Sequence, residues 1–166
     1  KIFLPAGFYY KTFMWPKSFW YKVYEPFIRK AAGLGVASIK HDKERYEHKY
    51  EYCDLLIAGS GPSGLASAYA AAKNGARVIL AEDKARFGGT LLTSEVNIGN
   101  QSGKEWVEGI ISELKEMPNV TVKNRSQVFG YYDHNMLVMS ERISGHLPKT
   151  RKFHPKQKLW YIRAKE

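Results

Sequence analysis

The sequence contains a single cysteine, Cys53, among its 166 residues. One cysteine excludes an intrachain disulfide and favours a reducing compartment, so we expect a cytoplasmic protein. Long hydrophobic runs are also missing, since no uninterrupted apolar segment approaches the ~20 residues that a membrane-spanning helix needs. The sequence therefore predicts neither a disulfide-stabilised scaffold nor a membrane protein.

Acidic residues are few relative to basic ones, with 16 Asp and Glu against 26 Lys and Arg, which gives a formal net charge of +10. Such a balance is found in proteins that bind nucleic acid or anionic membranes. The cations are scattered, however, with no basic run of five or more residues. A solvated, lysine-rich surface explains this pattern better, and we expect no nucleic-acid or membrane partner.

Candidate metal ligands are sparse as well. His41 and His48 lie in residues 40–50, a charged stretch that is predicted to be a linker. Neither histidine belongs to a cysteine–histidine or paired-acid ligand pattern, so we expect both to be solvated. The sequence nominates no metal site.

The informative stretch is a glycine-rich turn that follows a short apolar run, residues 55–58, of the length of a buried parallel strand. The turn fits the G-x-G-x-x-G fingerprint. In that fingerprint the first glycine permits a tight turn, the second lets backbone approach a pyrophosphate, and the third allows close helix packing. We expect a dinucleotide here, with these cofactor-binding residues: Gly59, Gly61, Pro62, Ser63 and Gly64.

A helix and a second strand are predicted after the turn. Pro62 suits a first helical turn because its missing N–H would have no intrahelical partner there. Gly75 is a natural left-handed residue after the helix end. Residues 77–81 then form a buried strand closed by Glu82, which lies 18 positions after the last glycine of the turn. A carboxylate about 20 residues on binds a ribose hydroxyl and repels a 2′-phosphate, which favours NAD or FAD over NADP.

The loop after this strand carries further candidate cofactor contacts. Asp83 and Lys84 follow the acid directly, and Gly88, Gly89 and Thr90 come four residues later. A glycine pair at this point lets the loop pass close to the ribose and the pyrophosphate. A βαβ unit whose glycines serve packing alone is the alternative, but strand, turn, helix, second strand and closing acid all occur together.

The remaining pattern completes an α/β, doubly wound (Rossmann-like) domain. Residues 102–117 predict a helix with a capping box, because Ser102 is followed at the third helical position by Glu105. Residues 119–123 predict a third parallel strand. An antiparallel three-strand meander is then expected from three segments, residues 128–132, 136–142 and 158–164.

Aromatic residues are concentrated at the other end of the chain, where residues 1–27 contain eleven of them. Side chains of this size are not left in water, so this arm is expected to pack on a neighbouring domain or subunit. A membrane interface or stacked nucleobases are the alternatives. A short helix, residues 25–32, ends at Gly33. We assign residues 1–50 to an aromatic arm and charged linker and residues 51–166 to the dinucleotide-binding domain.

The arm GFYYKTFMWP, the segment YEPFIRKAAGLG, the charged linker and the fingerprint together resemble the alpha subunit of the heterotetrameric sarcosine oxidase family. The resemblance covers nearly all 166 residues. It implies oxidative demethylation of sarcosine to glycine with formation of hydrogen peroxide, and transfer of the methyl carbon to tetrahydrofolate. It also implies NAD in this domain, with FAD the alternative at the same fingerprint.

The resemblance further implies FMN at the boundary with the beta subunit, and gamma and delta subunits as additional partners. Substrate oxidation is assigned to a flavin on the beta subunit, so no residue here is nominated as catalytic. Val128 matches the position whose backbone contacts adenine in related folds. A strand ending in Ala-Thr-Gly would come next, so we expect an internal fragment of a longer subunit, with an incomplete sheet.

Two other interpretations remain open at this point. The chain could belong to another FAD-dependent amine or opine dehydrogenase, or to a cyanide synthase, because these subunits share the fingerprint. It could also be a non-catalytic interaction module that binds a dinucleotide and docks a partner through its arm. Fold-level similarity does not decide between these functions.

Overall fold

The computed structural model describes residues 16–147 and 154–165. The chain divides into two compact units, with the boundary between Asp42 and Lys43. Part of the predicted aromatic arm lies outside the described residues, namely Phe3, Phe8, Tyr9, Tyr10, Phe13 and Trp15.

In the described part of the first unit, residues 16–42, there is one short helical segment. A π-helical turn, Trp20–Tyr24, runs directly into helix α1, Glu25–Ala31. Pro26 occupies the first turn of α1, where no intrahelical bond is lost, and Gly33 follows the helix with φ of +69°. The predicted short helix ended by a glycine is therefore confirmed. The π-helical turn was not predicted.

The second unit contains nine strands and two α-helices among its described residues. In chain order they are β1 Tyr46–Cys53, β2 Leu55–Ala58, α2 Pro62–Lys73, β3 Val78–Ala81, β4 Asn97–Ile98, β5 Gln101–Ser102, α3 Gly103–Glu116, β6 Val120–Lys123, β7 Ser126–Tyr132, β8 Met136–Arg142 and β9 Gln157–Ala164. A short 3₁₀ helix, Gly89–Leu92, lies between β3 and β4.

Strands β2, β3 and β6 form a parallel sheet in the order β2-β3-β6. Leu55 lies opposite Val78, which in turn lies opposite Val120. With the crossover helices α2 and α3, these strands make one βαβαβ half of a doubly wound fold. The predicted α/β class, both predicted crossover helices and all three parallel strands are confirmed.

The middle strand of this sheet is buried on both faces, which explains its unbroken apolar sequence. Val78 and Leu80 pack into a core with the two helices, whose fully buried members include Leu65 and Leu114. The alternate residues of β3 face a second core built on the other sheet. The parallel sheet thus lies between a helical layer and a β layer.

That β layer is a four-stranded sheet in the order β1-β9-β8-β7. The predicted antiparallel meander is confirmed as β7, β8 and β9, although β7 begins at Ser126 rather than at residue 128. Pairing shifts between Val128 and Gly130, where β7 carries a bulge. Met139 and Ile162 are fully buried beneath the sheet.

The prediction that residues 40–50 form a linker was wrong over its second half. Strand β1 pairs in parallel with β9, from Tyr46 opposite Gln157 to Cys53 opposite Ala164. Charged residues alternate with tyrosines in β1, and most of its side chains remain exposed. The strand is held by a partner more than a hundred residues away, which a local pattern does not reveal.

Helix α3 begins as its sequence predicts. The Ser102 hydroxyl accepts the Glu105 N–H at 3.3 Å, and the Glu105 carboxylate accepts the Ser102 N–H at 2.8 Å. This reciprocal capping box satisfies two backbone donors that otherwise lack intrahelical partners. Within the described ranges, no helix is both long enough and apolar enough to span a bilayer.

Candidate dinucleotide-binding site

The glycine turn connects β2 to α2 at the carboxyl end of the parallel sheet. Gly59 adopts φ of +103°, a conformation that favours glycine, and its N–H donates to the Ala81 carbonyl at 2.7 Å. A Cβ on Gly64 would lie 2.1 Å from the Gly59 carbonyl oxygen, so only glycine permits this contact. The third glycine therefore packs the helix against the turn itself and against Ile57 beneath it.

The turn leaves space in front of the helix N-terminus. A Cβ built on Gly61 meets no atom within 4 Å. Gly61 is the N-cap of α2, Pro62 follows at the first helical position, and no side chain caps this end. Unpartnered backbone N–H groups and the positive end of the helix dipole favour an anion here. The helix N-terminus thus offers space and partial positive charge to an anion, and the predicted pyrophosphate contact stays a prediction.

Glu82 follows β3 and turns its carboxylate inward to the same turn, with 6% of the residue exposed. Its Oε2 accepts the Ser60 N–H at 2.9 Å and the Ser60 hydroxyl at 2.5 Å. Its Oε1 accepts the Lys84 N–H at 3.0 Å. The acid is thus fixed by donors from both sides, next to the carboxyl end of the sheet where a ribose would lie.

The carboxylate of Glu82 is held in its ionised form. Burial by itself would raise its pKa, but hydrogen bonds oppose this effect and prevail. The Ser60 hydroxyl and the backbone N–H groups of Lys84 and Ser60 together lower the pKa of Glu82 well below its usual value. A buried, charged acceptor suits a neutral ribose hydroxyl and repels a phosphate at that position.

The Gly88–Gly89 loop closes over the turn. Gly88, with φ of +121°, donates its N–H to the Ser60 carbonyl at 3.0 Å and to the Ser60 hydroxyl oxygen at 3.1 Å. A Cβ on Gly89 would lie 3.0 Å from the Gly61 Cα. The loop therefore packs closely against the turn, and its predicted approach to the ribose and the pyrophosphate stays a prediction. Thr90 lies in the 3₁₀ helix with its side chain exposed.

A cavity of about 260 Å³ opens beside the glycine turn and the carboxyl end of β3. Its lining residues are Ala58, Gly59, Ala81, Asp83, Ser126, Gln127 and Val128. Val128, predicted to contact adenine, is therefore brought next to Gly59 and Asp83. A larger cavity of about 320 Å³ lies against α3, and none of the predicted cofactor-binding residues lines it.

Three residues of this site were not nominated from the sequence. Ser60 occupies a variable position of the fingerprint, and it is fully buried between Glu82 and Gly88. Ser126 donates its N–H to the Glu82 carbonyl at 2.7 Å, and Gln127 lines the cavity beside it. Ser126 and Gln127 were missed because the sequence predicts that this strand begins at residue 128, where the apolar alternation begins. In the structure β7 begins at Ser126.

Cys53 and Asp54, near the start of β2, are two further titratable groups with shifted pKa values. Cys53 is buried, and burial, followed by the negative charge of Asp54, raises the pKa of its thiol to about 11. Asp54 forms an ion pair with Arg77 at 3.1 Å that ties the start of β2 to that of β3. In residues 16–147 and 154–165, no three His, Cys, Asp or Glu side chains are grouped as metal ligands would be.

Comparison with known proteins agrees with this geometry. The model of the family described as FAD dependent oxidoreductase matches residues 54–141, which span β2 to β8. The solved L-proline dehydrogenase from P. horikoshii superposes with a TM-score of 0.51 at 17% identity, covering 75% of this chain and 23% of that one. That likeness concerns the fold alone. The chain belongs to the FAD dependent oxidoreductase family.

Two relatives that match most of the chain share one more specific protein name. Sarcosine oxidase subunit alpha from Rhizobium meliloti (strain 1021) is 46% identical over 98% of this chain. The protein of the same name from Corynebacterium sp. (strain U-96) is 34% identical over 81% of it. The chain is a homologue of sarcosine oxidase subunit alpha, and it spans 16% and 14% of the length of these two relatives.

Proposed function

We propose that this chain binds the ADP portion of a dinucleotide cofactor whose adenosine ribose carries a free 2′-hydroxyl. The observation that carries the proposal is the buried, ionised carboxylate of Glu82, which accepts hydrogen bonds from Ser60 of the glycine turn. Its chain neighbours Ala81 and Asp83 line a cavity of about 260 Å³. The pyrophosphate would lie at Gly61, the ribose at Glu82 and the adenine at Val128.

The residues present fit such a group. Gly61 offers open space at a helix N-terminus, where a side chain would intrude. Three donors reach the Glu82 carboxylate, and a carboxylate has about four acceptor positions, so one ribose hydroxyl can still be bound. Asp83 lines the cavity and Lys84 follows it in the chain. Gly88, Gly89 and Thr90 belong to the loop that packs against the glycine turn at Ser60 and Gly61.

The identity of the dinucleotide is a separate part of the proposal. The resemblance to the sarcosine oxidase alpha subunit supports NAD, whereas the family description supports FAD. Both carry the same ADP portion, which is the part that these residues would contact. We take NAD as the resident cofactor and FAD as the alternative. Either supplies hydride-transfer chemistry, and this chain supplies its position and electrostatics.

The protein that contains this chain is proposed to act as a sarcosine oxidase. Support comes from 46% identity across 98% of the chain with a relative of that name. On this proposal it contributes to oxidative demethylation of sarcosine to glycine with formation of hydrogen peroxide. Its partners would be beta, gamma and delta subunits, with FMN at the beta boundary and tetrahydrofolate as methyl-carbon acceptor.

Mass spectrometry of the ligand released from the intact protein tests the binding proposal. We expect NAD or FAD near one equivalent, and loss of it in Gly61→Val, because a branched side chain would fill the space of the pyrophosphate. Gly109→Val is the matched control, since a Cβ there also meets no atom but lies on the outer face of α3. Normal cofactor content in Gly61→Val would show that the phosphates bind elsewhere.

A further inference from the structure

A second polar cavity, of about 180 Å³, lies where β7 begins, β8 ends and β9 begins. Its lining residues are Arg125, Arg142, Gly145, His146, Lys156 and Gln157. Three of them are permanently cationic and none is acidic. We propose that this cavity is a phosphoryl-anion binding site, distinct from the dinucleotide cavity and independent of the function proposed above.

The backbone holds these cations in place although they are far apart in the sequence. The Arg142 N–H donates to the Arg125 carbonyl at 2.9 Å, which closes the end of the β7–β8 pair. The Lys156 N–H donates to the Arg45 carbonyl at 2.7 Å. The Lys156 carbonyl accepts the Ile143 N–H at 3.0 Å. The positive charge of the cavity is therefore a product of the fold.

The positive charges are only weakly compensated. Among the described residues, no carboxylate lies within ion-pair distance of Arg125 or Arg142. The Arg142 guanidinium donates instead to the backbone carbonyl of Asp83, a neutral acceptor. Lys156 has Glu44 at 3.7 Å, but both side chains are about half exposed, so solvent screens this pair. The cationic side chains of Arg125, Arg142 and Lys156 therefore keep N–H donors that could bind an anion in the cavity.

Arg125 also has an unusual backbone conformation. Its φ is +52°, in the left-handed region that side chains other than Asn and Asp rarely adopt. The strain is held by two hydrogen bonds, one from its N–H to the Lys84 carbonyl and one from the Arg142 N–H to its carbonyl. Residues in such conformations are concentrated at ligand sites. Here the strain accompanies a guanidinium that lies in the wall of a cavity and forms no ion pair with any described carboxylate.

Size and chemistry favour a phosphoryl group. The cavity greatly exceeds the ~30 Å³ share of one water molecule, so it has room for a multi-atom anion. Two guanidinium groups offer the planar forks that match phosphate oxygens. Among the residues that the structure describes, no aromatic side chain lines the cavity to stack a base, which argues against single-stranded nucleic acid. Free phosphate and a phosphate monoester share the chemistry that this site would recognise.

Phosphorus NMR titration of the intact protein, at constant ionic strength, tests the proposal. The probes are inorganic phosphate and glycerol 3-phosphate, with chloride as the reference anion. Arg125→Asn tolerates the left-handed backbone while removing the charge. We expect saturable phosphate binding that Arg125→Asn and Arg142→Gln each weaken about tenfold, the scale of one charge-assisted hydrogen bond.

Lys115→Gln, which removes one exposed charge from the last turn of α3, should leave phosphate binding unchanged. Tighter binding of glycerol 3-phosphate than of phosphate would identify a phosphorylated metabolite as the source, and equal binding would identify free phosphate. The proposal is overturned if chloride competes as well as phosphate, or if Lys115→Gln weakens binding equally. Binding of a single-stranded oligonucleotide without binding of phosphate would also overturn it.

Discussion

The buried carboxylate of Glu82 accepts two hydrogen bonds from one residue, Ser60, at 2.9 Å from its N–H and 2.5 Å from its hydroxyl. The Ser60 hydroxyl oxygen in turn accepts the Gly88 N–H at 3.1 Å. One buried serine therefore joins the glycine turn, the proposed ribose acid and the glycine-pair loop. These three segments are contiguous in space only because β2 and β3 pair in register.

Removing the Ser60 hydroxyl should leave the Glu82 carboxylate less firmly positioned, because one of its hydrogen bonds is lost. In Ser60→Ala the pKa of Glu82 should rise toward its usual value, because the largest hydrogen-bond contribution that lowers it is lost. Dinucleotide affinity should fall by about 0.5–1.5 kcal/mol, the net value of one hydrogen bond. Calorimetric titration with NAD and FAD measures the loss. Ser112→Ala, on the exposed face of α3, is the matched control, and an equal effect there would remove Ser60 from this role.

Replacing the acid itself should have a larger and more specific effect. Glu82→Ala should weaken NAD or FAD by about 1.5–3 kcal/mol, the range for a hydrogen bond to a charged group. Discrimination against NADP should fall as well, since the negative charge that repels a 2′-phosphate is gone. Glu108→Ala, an exposed acid on α3, should change neither quantity. Unchanged affinities for both cofactors in Glu82→Ala would place the ribose elsewhere.

The lowered pKa of Glu82 also predicts a pH dependence of stability. Because the folded pKa lies below the unfolded value of about 4.5, ionised Glu82 stabilises the fold at neutral pH. That contribution is complete above the unfolded pKa and is lost as pH falls through the folded one. Denaturant titrations of the wild type and of Glu82→Gln should therefore differ most near neutral pH and converge in acid. A difference that grows on acidification would contradict the sign of the shift.

Gly64, the third glycine of the turn, should be needed for stability, whereas Gly61, the second, should be needed for dinucleotide binding. Gly64→Ala would place a Cβ 2.1 Å from the Gly59 carbonyl, so the helix and the turn must separate. Loss of stability on the scale of core overpacking, about 1–3 kcal/mol, should follow. Gly61→Ala creates no clash within the protein and should lower dinucleotide affinity with little loss of stability. Thermal unfolding of both variants without ligand separates the two effects, and equal stability would contradict the assigned roles.

Aromatic side chains of the first unit are exposed, and we predict that the arm packs them against a neighbouring domain or subunit. Tyr21 and Phe27 are 80% and 72% exposed. In the intact protein, the amides of residues 19–31 should exchange slowly, and Phe27→Ser should accelerate them. Val36→Ser, at a side chain that is also exposed, should not. Slow exchange induced by anionic vesicles instead would favour a membrane interface.

The sequence predicts the parallel half of this fold because its signals are local. The apolar runs, Gly59 and Glu82 lie within about thirty residues, and each constrains its neighbours. Strand β1 was missed because its partner β9 is remote and its charges resemble those of a linker. The role of Ser60 depends on a side-chain hydrogen bond to a residue 22 positions away, so no spacing rule identifies it. The second cavity was hidden for the same reason, since only the fold brings Arg125, Arg142 and Lys156 together.

Photolabelling of the intact protein with an 8-azidoadenine analogue of its dinucleotide tests the central claim most directly, because it locates the adenine. The account predicts that peptide mapping finds the label at residues 124–130, around Val128, and that unmodified NAD or FAD suppresses it. Labelling of Phe87 or Ile111, which line the larger cavity against α3, with no label near Val128, would contradict the proposed site.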